Sequence, residues 1–120
     1  MANILIVDDS ATDQKELKKV LEKNGHSVAV TDNGDDGVKL SKSEQPDLIL
    51  MDVVMQGLNG FQATRQITKN PATEHIPVIL ISSKNQETDR QWGLRQGAKD
   101  YLVKPIADNE LIKTINSYLK

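Results

Sequence analysis

The sequence predicts an α/β fold in which a parallel sheet lies between two layers of helices. Five short apolar blocks recur along the chain, and most are continuous rather than alternating, as in strands buried on both faces. The segments between them carry apolar residues at helical spacing and have recognisable ends. Because right-handed crossovers change sides where the strand order reverses, we expect a flavodoxin-like (βα)5 three-layer sandwich with strand order 2-1-3-4-5.

The first strand and first helix have the clearest sequence signals. The block Ile4–Val7 is continuously apolar and of strand length. Ser10 followed by Asp13 predicts a capping box at the start of the helix, and Gly25 stands where a left-handed residue would follow its end. Apolar residues at helical spacing define its buried side, namely Leu17, Val20 and Leu21.

The next elements are shorter. Val28–Val30 predicts the second strand, and Asp35–Ser43 predicts a helix that ends before Pro46. Gly37 weakens the first turn of that helix, because glycine has low helix propensity. The third strand is predicted at the apolar block Leu48–Met51.

The second half repeats the pattern. Helices are predicted at Gly60–Lys69, at Thr88–Gln96 and after Asp108, which we expect to cap the last helix. Strands are predicted at Val78–Ile81 and Tyr101–Val103. The last helix should carry an apolar stripe that runs to the end of the chain, made by Leu111, Ile112, Ile115 and Leu119.

Composition bounds the function classes. The chain has 120 residues, a formal charge of −2 and no cysteine. These values indicate one domain over residues 1–120 without linker or output domain, and they exclude disulfides, thiolate metal sites and cysteine nucleophiles. Charges of both signs are scattered, so we expect no nucleic-acid partner. No apolar run approaches a membrane span and the start lacks a signal peptide, which predicts a cytoplasmic protein without a membrane partner.

Polar residues collect at the predicted carboxyl ends of the strands, where open α/β sheets bind ligands. The first strand is followed by Asp8 and Asp9, the third by Asp52, and the fifth by Lys104. The fourth strand is followed by the hydroxyls of Ser82 and Ser83. Because these strands are neighbours in the predicted order, we expect one cluster of three carboxylates, hydroxyls and an ammonium.

The clustered carboxylates need a compensating cation, and their hard oxygens favour Mg²⁺, which also takes phosphate oxygens as ligands. Three carboxylates, one lysine and one Mg²⁺ sum to zero formal charge. Asp52 interrupts an apolar run alone at the end of the central strand, so it is the candidate nucleophile for a covalent aspartyl-phosphate. The neighbouring groups would neutralise the phosphoryl charge.

These residues carry a resemblance to a known family. The segments ILIVDDS at Ile4–Ser10, LILMDVVMQGLNG at Leu48–Gly60, VILISS at Val78–Ser83 and GAKDYLVKP at Gly97–Pro105 stand in that family's order and spacing. Over its whole length the chain resembles the receiver domain of bacterial response regulators. Residues 82–101 and 57–66 most resemble the PilH-like regulators of type IV pilus motility and related phototaxis systems.

The resemblance implies roles for individual residues. Asp52 would be the phosphoacceptor, with Asp9 and Asp52 as direct Mg²⁺ ligands. Asp8 would act on the metal through water, and Val54 would lend it a backbone carbonyl. Lys104 would form a salt bridge with the phosphoryl group. The switch residues would be Ser82, next to Ser83, and Tyr101, whose ring would turn inward.

The resemblance also implies a function. The protein would accept a phosphoryl group from a CheA-like histidine kinase, catalysing only its own phosphorylation and dephosphorylation rather than acting as an enzyme. A conformational change would then remodel the face made by the fourth helix, fifth strand and fifth helix, where a downstream protein docks. We place Trp92, Tyr101 and Lys84 on that face, with Trp92 partly buried as a packing residue. A monomer is expected.

Two other functions remain open from the sequence. The protein could drain phosphoryl groups from a sibling regulator instead of passing a signal on. A Mg²⁺-dependent hydrolase with an aspartyl nucleophile is the enzyme alternative, but it would need an Asp-x-Asp pair after the first strand and usually a cap domain. Here the first strand is followed by Asp8-Asp9-Ser10.

Overall fold

A computed structural model describes residues 2–119 of the chain. Five strands and five helices alternate strictly along these residues. The bounds are β1 Asn3–Val7, α1 Ala11–Lys23, β2 Ser27–Thr31, α2 Gly34–Glu44, β3 Leu48–Asp52, α3 Gly60–Lys69, β4 Val78–Ser82, α4 Glu87–Arg95, β5 Asp100–Val103 and α5 Asp108–Tyr118. Every predicted strand and helix is present, with ends that match or differ by at most two residues.

The sheet confirms the predicted topology. All pairings are parallel and the strand order is β2-β1-β3-β4-β5. Strands β3 and β4 are buried along their whole length, whereas β2 lies at an edge and is only partly buried. The carboxyl ends of the three central strands therefore meet at one rim of the sheet.

Two apolar cores lie on the two faces of the sheet, as the continuous apolar strands require. One core joins alternate strand residues to α1 and α5, through side chains such as Leu21 and Ile115. The other joins the remaining strand residues to α3 and to Tyr101 of β5, through side chains such as Ile67. Successive residues of β3 point alternately into the two cores. Because Leu48 and Leu50 lie in the core beside α1 and α5, the side chain of Asp52 lies on that same face.

Three predicted helix ends differ from the structure. Ser10 accepts a hydrogen bond from the Asp13 amide at 3.3 Å, but the reciprocal half of the capping box is absent because the Ser10 amide donates to Asp8. Asp108 does not cap α5: the residue before the helix is Ala107, which has no side-chain cap, and Asp108 is the first helical residue. Leu119 follows the helix instead of extending it, and Lys120 lies outside the described residues.

Glycine is required at two places beside the site. A Cβ on Gly37 would lie 2.8 Å from a methyl group of Val7. Gly37 lowers the helix propensity of α2, but its missing side chain allows α2 to pack closely against β1. A Cβ on Gly60 would lie 2.1 Å from the Asp52 carbonyl oxygen. The start of α3 thus packs directly against the backbone at the end of β3 and fixes the position of Asp52.

None of the helices within residues 2–119 is both long enough and apolar enough to cross a membrane.

Candidate functional site

The rim of the sheet brings the three predicted aspartates together. Strands β1 and β3 are paired up to Val7 and Met51. The residues that follow these two, Asp8 and Asp52, therefore stand at the same level of the sheet. One carboxylate oxygen from each of Asp8, Asp9 and Asp52 lies within 4.8 Å of the other two. Asp8 and Asp52 are buried and Asp9 is exposed. The predicted cluster is therefore present, with one side open to solvent.

Burial and repulsion together change the acidity of Asp52. Burial of its carboxyl group and the nearby charge of Asp8 raise its pKa from 3.8 to about 6, against an opposing effect of Lys104. The charge of Asp9 adds a smaller increase. A carboxylate that is costly to keep charged is one that a cation stabilises strongly, which supports the prediction of a metal at this rim.

The Lys104 ammonium is the positive centre of the cluster. It lies 2.9 Å from Asp8, 2.7 Å from Asp13 and 3.3 Å from the Oδ1 atom of Asp52. Burial lowers the pKa of this ammonium, but the hydrogen bonds to Asp13 and Asp8 and the charge of Asp52 outweigh burial and raise it above its ordinary value. Lys104 is thus charged at neutral pH and contacts the carboxylates of Asp8, Asp13 and Asp52.

Asp13 is a site residue that the sequence interpretation missed. The sequence predicts a helix-capping role for this residue, yet its carboxylate makes the shortest contact to Lys104. The sequence feature that indicates a site role for Asp13 is its place in the first turn of α1, because this helix begins at the same rim as the strand ends. Gln14 on the next position is also engaged, because its amide donates to the Asp8 carbonyl.

Within residues 2–119, the hydroxyl residues at the end of β4 make no hydrogen bond to the clustered carboxylates. Ser82 is fully buried, and its Oγ atom accepts a hydrogen bond from the Lys84 amide at 3.0 Å. Ser83 is exposed and lines a groove that also includes Lys104. Ser82 directs its side chain to the sheet face opposite Asp52, the face that also holds Tyr101.

Tyr101 already lies inward. The residue is 4% exposed, and its hydroxyl donates to the Lys84 carbonyl at 2.9 Å. Burial raises the pKa of this hydroxyl. The inward rotamer that the sequence interpretation linked to phosphorylation is therefore a conformation that the fold itself accommodates, held by the loop between β4 and α4.

Trp92 does not have the expected packing role. It is 51% exposed on α4, because the residue that this helix buries is Gly93, where a Cβ would meet Leu80 at 2.5 Å. Lys84 and Val103 are also exposed, so apolar and charged side chains lie on the surface around α4 and β5. Val54, two residues beyond Asp52, is 54% exposed.

The arrangement can hold a divalent cation and a bound anion together. The three clustered carboxylates offer hard oxygen ligands of the kind that Mg²⁺ takes, and the exposed Asp9 leaves room for water or another ligand. The Lys104 ammonium can pair with an anion placed at Asp52. A carboxylate between a cation site and an ammonium has the surroundings that phosphoryl transfer requires.

Comparison with protein families and curated relatives agrees with this chemistry. Residues 4–116 match the family model described as the response regulator receiver domain. The chain is 59% identical to Protein PilH of Pseudomonas aeruginosa over 119 residues, which are 99% of this chain and 98% of PilH. It is 36% identical to the transcriptional regulatory protein AfsQ1 of Streptomyces coelicolor, of which it spans 52%.

Solved structures with the same fold include two informative ones. The chemotaxis protein CheY4 of Vibrio cholerae superposes with a TM-score of 0.93 at 26% identity, with 99% of each chain covered. The receiver domain of a sensor histidine kinase from Pseudomonas aeruginosa superposes with a TM-score of 0.91 at 29% identity, covering 98% of this chain and 96% of that one. That structure has a magnesium ion coordinated in its active-site cleft.

Proposed function

The chain belongs to the response regulator receiver domain family, and from that premise we propose that it accepts a phosphoryl group on Asp52 and signals through the resulting change in its surface. The observation that carries this proposal is the position of the Asp52 carboxylate. It stands between two other carboxylates within 4.8 Å and the Lys104 ammonium at 3.3 Å. The donor is a phosphohistidine on a histidine kinase.

The chemical step is an in-line displacement at phosphorus. A carboxylate oxygen of Asp52 forms the new P–O bond while the P–N bond to the donor imidazole breaks, and the imidazole nitrogen keeps the electron pair and takes a proton. Lys104 pairs with the phosphoryl oxygens. Hydrolysis later transfers the phosphoryl group to water and restores the carboxylate.

The acidic cluster suits a magnesium ion. Asp9 and Asp52 would bind it directly, Asp8 through water, and Val54 through its backbone carbonyl. Such an ion neutralises negative charge that develops on the phosphoryl oxygens. The chain supports this assignment by bringing three carboxylates together beside Lys104.

The output would be carried by the surface around α4, β5 and α5. Phosphoryl oxygens on Asp52 would favour the arrangement in which Ser82 turns toward them and Tyr101 stays inward, a shift between two existing conformations. A downstream protein would dock on this face, where Trp92 and Lys84 are exposed. The 59% identity to PilH, which the chain matches over 98% of that protein, favours a stand-alone regulator in a motility or chemosensory system with a CheA-like kinase.

The test is phosphorylation by a small-molecule donor. The protein is incubated with acetyl phosphate and Mg²⁺, and its intact mass is measured. We expect the added mass of one phosphoryl group, which should disappear in Asp52→Asn and when a chelator removes the metal. Asp35→Asn is the matched control, because it removes an exposed carboxylate of α2 that is not one of the three clustered carboxylates. If Asp52→Asn still gains the mass, the acceptor is another residue.

Dephosphorylation should be slow because Val54 has no polar group that could orient an attacking water. We predict that Val54→Asn speeds Mg²⁺-dependent decay of the phosphoprotein severalfold. The side chain is 54% exposed, so the substitution should leave the fold intact. Decay is followed by the loss of phosphoryl mass after the donor is removed. Val54→Leu is the control, because it is apolar and about as large as asparagine and should leave the decay rate near that of the parent. Equal decay of parent and Val54→Asn would contradict the proposed role of an oriented water.

A further inference from the structure

The Lys104 ammonium lies closest to a carboxylate that the proposed phosphoryl chemistry does not use. Its distance is 2.7 Å to Asp13 and 3.3 Å to Asp52. The contacts to Asp13 and Asp8 are hydrogen bonds as well as ion pairs. An ammonium has three N–H donors, so donors that are engaged with Asp13 and Asp8 are not available to an oxygen on Asp52.

The three carboxylates that contact Lys104 differ in the free-energy cost of separating them from its ammonium. The Asp8 side chain is 0% exposed and the Asp52 side chain 8%, whereas that of Asp13 is 37% exposed. Water can solvate the Asp13 carboxylate after the ammonium leaves, but it cannot reach Asp8 in the same way. Asp13 is therefore the partner from which Lys104 separates at least cost.

We propose that Asp13 is a positioning residue that restrains Lys104, holding its ammonium on the α1 side of the cluster until a phosphoryl group competes for it. The inference rests on the proposed function, because it needs a phosphoryl group on Asp52. A phosphoryl group carries more charge than a carboxylate and accepts stronger charge-assisted hydrogen bonds, so it draws the ammonium away from Asp13. The restraint then slows phosphorylation by the amount needed to break the Asp13 contact.

The decisive comparison is the rate of phosphorylation by acetyl phosphate at saturating Mg²⁺, followed by intact mass. Asp13→Asn should be phosphorylated about two- to fivefold faster than the parent, the range expected for releasing a partly exposed ion pair. Asp13→Glu, which restores the carboxylate, should return the rate towards the parent value. Glu16→Gln is the matched control, because it removes the same charge from an exposed position of α1.

The outcomes separate this inference from the proposed function. If the parent chain gains no phosphoryl group, both are overturned. If the parent is phosphorylated but Asp13→Asn reacts only as fast as Glu16→Gln, the restraint alone is wrong and the effect is one of net charge on an anionic donor. A slower Asp13→Asn would overturn the restraint too, since Asp13 would then orient Lys104 for the reaction instead of retaining it.

Discussion

Asp52→Asn is expected to stabilise the metal-free protein near neutral pH, even though it removes the proposed acceptor. Burial and the charge of Asp8 raise the pKa of Asp52 from 3.8 to about 6. Each pKa unit corresponds to about 1.4 kcal/mol, so the neutral amide should recover about 1–3 kcal/mol of unfolding free energy. Lys104 loses one partner in the variant but keeps Asp8 and Asp13.

The pH dependence follows from the direction of this shift. A carboxyl group whose pKa is higher in the folded than in the unfolded chain binds its proton more tightly when folded. Its favourable contribution is complete below the unfolded pKa of 3.8 and is lost as the pH rises through about 6. The advantage of Asp52→Asn should therefore be small near about pH 4, grow as the pH rises, and level off above about pH 7.

Urea denaturation of parent and variant across this pH range measures the difference directly. Mg²⁺ should reduce the difference in unfolding free energy between variant and parent, because a cation that binds the folded parent through Asp52 stabilises the parent more than the variant. Asp35→Asn serves as the control, with an expected loss of no more than about 1 kcal/mol at any pH, since it removes one carboxylate from the first turn of α2. A variant less stable than the parent at neutral pH would mean that attraction to Lys104 outweighs burial and repulsion at Asp52.

The fold and the centre of the site could be predicted because both follow from where apolar blocks end. Continuous apolar strands specify a parallel sheet, and the carboxyl ends of neighbouring strands must meet at one rim. The side chains at these strand ends therefore converge independently of how the helices pack. They are Asp8, Asp9, Asp52 and Lys104. Their proximity follows from the strand order 2-1-3-4-5, which the alternation of strands and helices favours.

The side chains supplied by helices and loops were harder to place. Asp13 reaches Lys104 only because α1 begins at the rim with its first turn directed inward, and the same residue type at that position also fits a helix cap. Trp92 is exposed because α4 packs through Gly93. A short helix with weak apolar periodicity does not reveal which side it buries.

Lys104→Met is expected to have the opposite effect to Asp52→Asn and to be the most destabilising change at the rim. It removes the ammonium that lies within 3.3 Å of Asp8, Asp13 and Asp52 and leaves the buried carboxylates without a cation. Removing one partner of a buried ion pair costs about 3–5 kcal/mol, and the partial exposure of this lysine reduces the expected loss to about 2–3 kcal/mol. Denaturation in metal-free buffer measures it.

A second cation should compensate for the missing ammonium. Lys104→Met is expected to bind Mg²⁺ several times more tightly than the parent, because the carboxylates then lack any competing positive charge. Saturating Mg²⁺ should restore most of the unfolding free energy that Lys104→Met loses. In metal-free buffer, the double variant Lys104→Met with Asp52→Asn should regain part of that loss. Lys99→Met is the control, since it replaces an exposed lysine outside the cluster and should change stability by less than about 0.5 kcal/mol. If Lys104→Met is as stable as this control, the lysine contributes to phosphoryl binding alone, and the carboxylates at the rim are compensated by solvent.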